Sequence, residues 1–134
     1  MAKEFSIFIS HSWSYSKDLE NLRKLLKNRG YFNVNFLEPS KQMPINSNNA
    51  KYLKSVLKKR IVNANIVLGL AGVYATYSDW MIWELETAEY YDIPIIGIVP
   101  RGQKRISSEV RIRSIEDINW YTESIVSAIR KYAI

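Results

Sequence analysis

One glutamate in the run SDWMIWELETAE, residues 78–89, occupies a costly place for a charge. A helix turns by about 100° per residue, which puts Glu86 and Glu89 on the polar side of this segment. Glu84 falls about 40° from Trp80, in the middle of the apolar stripe. Burial disfavours a carboxylate and raises its pKa. An acid kept in such a position is therefore a candidate for chemistry.

A carboxylate in an apolar, aromatic-lined crevice suits reactions at a sugar carbon. Such a group stabilises an oxocarbenium-like centre or attacks it as a nucleophile, which is the logic of glycosidic bond cleavage. Trp80, one turn before Glu84, could give a planar base a stacking wall. The structural alternatives stay open, because Glu84 could pair with Lys or Arg under a loop and Trp80 could simply pack in the core.

Several other chemistries are disfavoured by the residues that follow the apolar runs. No GxGxxG or GxxxxGK[ST] pattern is present, which argues against a dinucleotide fingerprint or a P-loop. The chain has no Cys and a single His, His11, so we expect no metal site. Ser10 and Ser12 flank His11, but adjacent residues rarely face each other as a nucleophile and its base must.

The bulk composition indicates one globular domain. A chain of 134 residues can bury one sizeable core, and we predict a single domain over residues 1–134. The longest apolar run, 66–75, is too short for a membrane span, and residues 1–10 do not form a signal peptide, so we expect a cytoplasmic protein. The net charge of +6 permits nucleic acid, but the dispersed basic residues favour a solvated face.

Apolar runs with strand character alternate with segments of helical periodicity. The strands read apolar throughout, as in a parallel sheet covered on both faces. We therefore predict an α/β, flavodoxin-like, doubly wound sheet of five parallel strands in the order 2-1-3-4-5. The predicted strands are residues 4–10, 34–37, 65–71, 93–99 and 115–119. We predict helices after the first three strands, a polar loop with room for a short turn of helix at 100–111, and a closing helix at 120–133.

In such sheets, ligands bind beyond the carboxyl ends of the strands, where the strand order reverses. That point lies between the first and third strands. We predict that four segments meet there: residues 10–13, residues 71–74, the long loop 38–49 and the start of the 78–91 helix. Backbone N–H groups of the first turn could hold phosphate at the following helix N-terminus.

The order and spacing of the motifs resemble those of TIR-like domains. FSIFISHSW, SDWMIWELETA, PIIGIVPRGQ and INWYTESIVSAIRK are similar to the small bacterial and archaeal branch that includes the TIR proteins of Thoeris anti-phage systems. Two departures stand out: Met81 replaces a frequent cysteine, and the 38–49 loop lacks the Arg-Asp and Pro-Gly pattern of receptor-type domains.

The resemblance implies a flavodoxin-like fold and a role for the Trp80–Glu84 pair. It implies that Glu84 is the catalytic acid of those members that consume NAD⁺, as a substrate and not as a cofactor. The nicotinamide–ribose bond is broken there, and ADP-ribose is released or closed into a cyclic signal for a separate effector protein. The positions of Ser10, His11 and the 38–49 loop border the nucleotide in that family.

The leading hypothesis is therefore an NAD⁺ glycohydrolase or cyclase in anti-phage defence. Glu84 is its catalytic residue, and the expected substrate contacts are Phe8, Ser10, His11, Ser12, Trp13, Asn46 and Trp80. The second hypothesis is a non-catalytic module that self-associates or binds other TIR-like domains through the 38–49 loop and Tyr90–Tyr91. A nucleoside 2-deoxyribosyltransferase-like enzyme and a nucleic-acid binder are the less favoured alternatives.

Overall fold

Five strands and five helices alternate along the part of the chain that the structure describes. A computed structural model describes residues 3–11, 16–38, 50–70, 79–102 and 106–134. The elements are β1 (Glu4–His11), α1 (Ser16–Lys27), β2 (Asn33–Phe36), α2 (Ala50–Val62), β3 (Ile66–Leu70), α3 (Asp79–Tyr90), β4 (Ile95–Ile98), α4 (Ser108–Arg111), β5 (Asp117–Ile118) and α5 (Thr122–Tyr132). None of the helices in the described ranges is long and apolar enough to cross a bilayer.

The strands form one parallel sheet in the order β2-β1-β3-β4-β5. Strand β1 pairs with β2 through Ile7 and Phe36 on one edge and with β3 through Ile7 and Ile66 on the other. This arrangement confirms the predicted flavodoxin-like fold and the predicted strand order. The chain winds outward from β1 in both directions, so the switch point lies between β1 and β3 at their carboxyl ends.

Two apolar cores cover the two faces of the sheet. Side chains alternate across a strand, so Ile7 and Ile9 enter one core whereas Phe8 enters the other. The α1–α5 core includes Ile7, Ile9, Leu22, Leu26, Leu68, Ile125 and Ile129. The α2–α3 core includes Phe8, Leu57, Ile61, Val67, Met81, Leu85 and Val110. Burial of both faces explains why β3 reads apolar without interruption.

Strand β4 starts later than the predicted range 93–99. The backbone N–H of Ile93 donates to the carbonyl of Ala88 at 2.9 Å, so Ile93 caps the C-terminal end of α3 and does not pair in the sheet. Pro94 has no N–H for the ladder, and only its carbonyl takes part, accepting from Val67 at 2.9 Å. The short turn of helix predicted within the 100–111 loop is α4. Strand β5 is shorter than the predicted 115–119.

Helix α4 packs against the middle of the sheet because β3 and β4 have glycines there. A Cβ atom at Gly69 would lie 2.6 Å from Cγ1 of Val110 on α4, and one at Gly97 would lie 3.2 Å from the same atom. Real side chains do not approach as closely as the first of these distances. The absence of a side chain on these strands therefore fixes how close α4 comes to the sheet.

Gly69→Ala should lower the free energy of unfolding by about 1–3 kcal/mol, because the new methyl group overpacks this contact. Chemical denaturation measures the change. Gly30→Ala is the matched control, since nothing lies within 4 Å of a Cβ there. Val110→Ala makes room for the methyl group, so the double variant should lose less than the sum of the single losses. Strict additivity, or an equal loss at Gly30, would contradict the packing model.

Candidate active site

Glu84 sits in the second turn of α3 and points toward the end of β1. Met81 and Leu85 beside it are buried in the α2–α3 core, while Glu86 is exposed, as the helical periodicity predicts. The residue keeps some exposed surface, but its carboxyl group is enclosed by protein atoms. The hydroxyl of Ser10, a residue with no exposed surface, donates a hydrogen bond to Oε1 of Glu84 at 2.9 Å.

Burial raises the pKa of Glu84 to about 8, because the charged form loses its hydration. The hydrogen bond from Ser10 acts in the opposite direction, and the negative charge of Glu38 raises the pKa further. The Glu84 carboxyl group is therefore mainly protonated at neutral pH in the substrate-free protein. A group whose pKa departs this far from its ordinary value is a candidate for function.

Glu38 is a second acid at this end of the sheet, and the sequence did not single it out. It follows β2 and is 4% exposed. The backbone N–H of Ile9 donates to its Oε2 at 3.4 Å, and Nη1 of Arg23 lies 3.8 Å from its Oε1. Burial raises the pKa of Glu38 to about 7, although the positive charges of Arg23 and Arg60 act against this. The only signal in the sequence was the place of this acid directly after the predicted strand 34–37.

His11 ends β1 on the face of the sheet that α1 covers. Its Nδ1 atom lies 3.5 Å from the carbonyl oxygen of Ile9. Burial lowers the pKa of His11, with the charge of Arg23 acting in the same direction and that of Glu20 against it. The imidazole is therefore neutral at neutral pH. Ser10 and His11 are the last two residues of β1, so their side chains lie on opposite faces of the sheet. A substrate contact by either residue stays a prediction.

The two predicted ring contacts, Phe8 and Trp80, have different surroundings. Phe8 has no exposed surface and is part of the α2–α3 core, so contact with a ligand would require movement of a covering helix. Trp80 is partly exposed, packs against the same core and meets Trp83 edge-to-face, with ring centroids 6.1 Å apart. Substrate binding by either residue stays a prediction.

Three predicted substrate contacts, Ser12, Trp13 and Asn46, lie outside the described residues. The same holds for most of the 38–49 loop and for residues 71–74. Their assignments stay predictions. Within the described ranges, no three His, Cys, Asp or Glu side chains are grouped as metal ligands would be.

Arg113 forms ion pairs with two exposed acids of α3 and with one acid of α4. Its guanidinium forms ion pairs with Glu89 at 3.0 Å, Glu86 at 3.6 Å and Glu109 at 2.8 Å. Glu86 and Glu89, predicted on the polar side of this helix, are both exposed. Through Arg113, both residues also connect α3 to α4. Glu86 is the control for substitutions at Glu84 because it lies on the same helix and is exposed.

The sheet order and the helix that presents Glu84 at the switch point are those of a flavodoxin-like α/β domain. Residues 8–105 match the family model described as Thoeris protein ThsB, TIR-like domain. The chain therefore belongs to the TIR-like domain family of the Thoeris defence proteins. No curated protein matches the chain by sequence.

Solved structures of other proteins share the fold at low identity. A 2-deoxyribosyltransferase from Bacillus psychrosaccharolyticus superposes with a TM-score of 0.62 and 18% identity, over 90% of this chain and 89% of that one. A CMP N-glycosidase from Clostridium botulinum gives a TM-score of 0.56 and 14% identity, over 93% and 98%. A putative pilus assembly-related protein from Burkholderia pseudomallei gives 0.55 and 12%, over 96% and 88%. These likenesses show the fold.

Glu84→Gln should remove part of the pH dependence of folding. The folded-state pKa of about 8 lies above the ordinary 4.5, so the folded protein holds a proton that the unfolded chain releases between these values. The contribution of Glu84 to stability is complete below pH 4.5 and is lost as the pH rises through 8. Glutamine keeps an acceptor for Ser10 but does not titrate, so we expect a gain of roughly 3–5 kcal/mol over wild type at high pH.

Denaturant unfolding of both proteins at several pH values between 4.5 and 8 measures this difference. Glu86→Gln, on the same helix but exposed, is the control and should follow the wild-type course. Parallel pH dependences for wild type and Glu84→Gln would contradict a protonated, enclosed Glu84.

Proposed function

We propose that this chain is an NAD⁺-processing enzyme that cleaves the bond between nicotinamide and ribose, with Glu84 as its catalytic residue. The observation that carries the proposal is the Glu84 carboxyl group, enclosed at the switch point and hydrogen-bonded to Ser10. Membership of the Thoeris TIR-like family supports it. Two proteins with this fold are a 2-deoxyribosyltransferase and an N-glycosidase, names that denote chemistry at a glycosidic bond.

The chemistry needs one negative group beside the sugar carbon. When the bond between C1′ and the nicotinamide nitrogen breaks, its electron pair leaves with the neutral nicotinamide and positive charge develops on the ribose. The Glu84 carboxylate stabilises or captures that cation. Water then gives ADP-ribose and releases a proton, or a nucleophile within ADP-ribose closes a cyclic product.

The resting state of Glu84 fits a cationic substrate. A protonated carboxyl group does not stabilise a cation, so Glu84 has to ionise before the bond breaks. The nicotinamide ring of NAD⁺ carries a positive charge, and an adjacent positive charge lowers the pKa of a carboxyl group. Binding of the substrate thus favours the charged form that its own cleavage requires.

The proposed biological setting is anti-phage defence inside the cell. ADP-ribose or its cyclic form would act on a separate effector protein, and self-association or contact with other TIR-like domains would control the enzyme. A non-catalytic interaction module is the second candidate, favoured by the end of α3, where Tyr90 is 79% exposed and stacks edge-to-face on Tyr91 at 4.9 Å. Glu84 would have no chemical task in that case.

Glu84→Gln should reduce NAD⁺ consumption at least ~100-fold, because an amide cannot stabilise the ribosyl cation as a carboxylate does. The purified protein, at high concentration or with infected-cell lysate, is incubated with NAD⁺, and nicotinamide and ADP-ribose products are identified by mass spectrometry. Glu86→Gln is the matched control and should retain wild-type turnover.

Equal turnover by wild type and Glu84→Gln would refute the role of Glu84. The absence of turnover by wild type under all these conditions would favour the interaction module. 2′-Deoxynucleosides with a free base, offered in parallel, separate NAD⁺ cleavage from deoxyribosyl transfer.

A further inference from the structure

Two carboxyl groups are held by consecutive residues at the end of β1. Ile9 donates its backbone N–H to Glu38 at 3.4 Å, and Ser10 donates its hydroxyl to Glu84 at 2.9 Å. Glu38 comes from the end of β2 on the α1 face, where it pairs with Arg23, whereas Glu84 comes from α3 on the opposite face. The end of β1 therefore binds one acid from each face of the sheet.

The surroundings of Glu38 do not resemble those of an acid that only stabilises the fold. Its Oε1 atom is buried and has no hydrogen-bond partner in the described part of the chain, and the same is true of Nη1 of Arg23. These two atoms lie 3.8 Å apart, too far for a hydrogen bond. The guanidinium stacks over the ring of Phe36, 5.2 Å from its centroid. A buried carboxyl group with an oxygen that accepts no hydrogen bond lowers the free energy of unfolding. This cost favours a function for Glu38 in the site.

We propose that Glu38 is a positioning residue of the Glu84 site, and that between their two successive titrations the two carboxyl groups hold one proton between them. The coupling itself needs no substrate. Its consequence for catalysis rests on the proposed cleavage of NAD⁺.

The charges around the pair determine which acid ionises first. Arg23 on α1 and Arg60 on α2 favour a negative Glu38, and burial leaves its pKa at about 7, below that of Glu84 at about 8. His11 also belongs to this environment, and its own pKa responds to Arg23 and to Glu20 on α1. Glu38 therefore loses its proton first, and its negative charge then opposes ionisation of Glu84.

A cationic ring beside Glu84 reverses this order. Positive charge next to Glu84 favours the arrangement with the negative charge on Glu84 and the proton on Glu38. The pair then keeps its single proton and its net charge while the charge moves to the acid that faces the sugar. In the empty site, the negative charge of Glu38 thus keeps Glu84 neutral. When the cationic ring is bound, Glu38 holds the proton instead.

Carbon-13 NMR of carboxyl-labelled glutamate in the substrate-free protein tests the coupling directly. Wild type should show two buried carboxyl groups titrating in successive steps. Glu38→Gln should leave one step, assigned to Glu84 and displaced to lower pH by about one pH unit. Glu84→Gln should remove the upper step and leave that of Glu38 in place, since Glu38 titrates while Glu84 is still neutral.

Two further variants keep the result interpretable. Glu4→Gln, an exposed position at the other end of β1, is the matched control and should leave both steps unchanged. Arg23→Gln retains both acids and should move the Glu38 step to higher pH, which tests the pair even where Glu38→Gln fails to fold. A Glu84 titration that is the same in Glu38→Gln as in Glu4→Gln would overturn the proposal.

The pH dependence of NAD⁺ consumption separates the coupling from the proposed function. In Glu38→Gln, the acidic limb of the rate profile should move to lower pH by the same amount as the Glu84 titration. A merely structural Glu38 would lower the melting temperature and leave the profile where it was. If wild type consumes no NAD⁺ at any pH, the proposed function fails, while the NMR titration still decides whether the two acids are coupled.

Discussion

The position of β1 between β2 and β3 is the constraint on which the remaining structure depends. A strand paired on both edges and covered by apolar cores on both faces has only its end available for polar chemistry. Ser10 lies at that end with no exposed surface, and its hydroxyl binds a side chain from the α2–α3 face. The preceding N–H, of Ile9, binds one from the α1 face. The end of one strand thereby joins acids from both sides of the sheet.

Burial of two acids in this position lowers the free energy of unfolding. As the pH rises, their effect on stability is opposite to that of ordinary ion-paired carboxylates. A salt-bridged surface acid adds stability as the pH rises, whereas a buried, unpaired acid removes it. The apolar cores on both faces must offset that loss. Such acids are more readily explained by chemistry than by folding, and this holds for Glu84 more strongly than for Glu38, which retains Arg23 nearby.

The parts of the molecule that follow from local pattern could be predicted. Continuous apolar strands that alternate with helices predict a parallel sheet. The rules for connections between parallel strands are consistent with the predicted order, which is the observed one. Helical periodicity alone set Glu84 apart from Glu86. The burial of Phe8 on the opposite side from Ile9 also follows from strand alternation, although Phe8 was assigned to the substrate.

Glu38 could not be found in this way, because its environment is entirely non-local. Its neighbours in sequence, Pro39 and Ser40, read as the start of a loop, and a loop acid is normally exposed. Its burial comes from the partners that the fold brings to it, Arg23 on α1 and the N–H of Ile9 on β1. Only the packing of three separate elements reveals that this acid is enclosed.

The arrangement differs in kind from that of an enzyme with one acid and one base held at a fixed distance from a neutral sugar. There, unequal surroundings keep one carboxyl group protonated and the other ionised before substrate arrives. Here, the acid next to the proposed reaction centre is the one that retains its proton in the empty site. For a neutral glycoside this protonated group would be a general acid, and not the group that stabilises the sugar cation. A substrate that brings its own positive charge would favour the ionised form of Glu84, which is the form that the proposed cleavage of NAD⁺ requires.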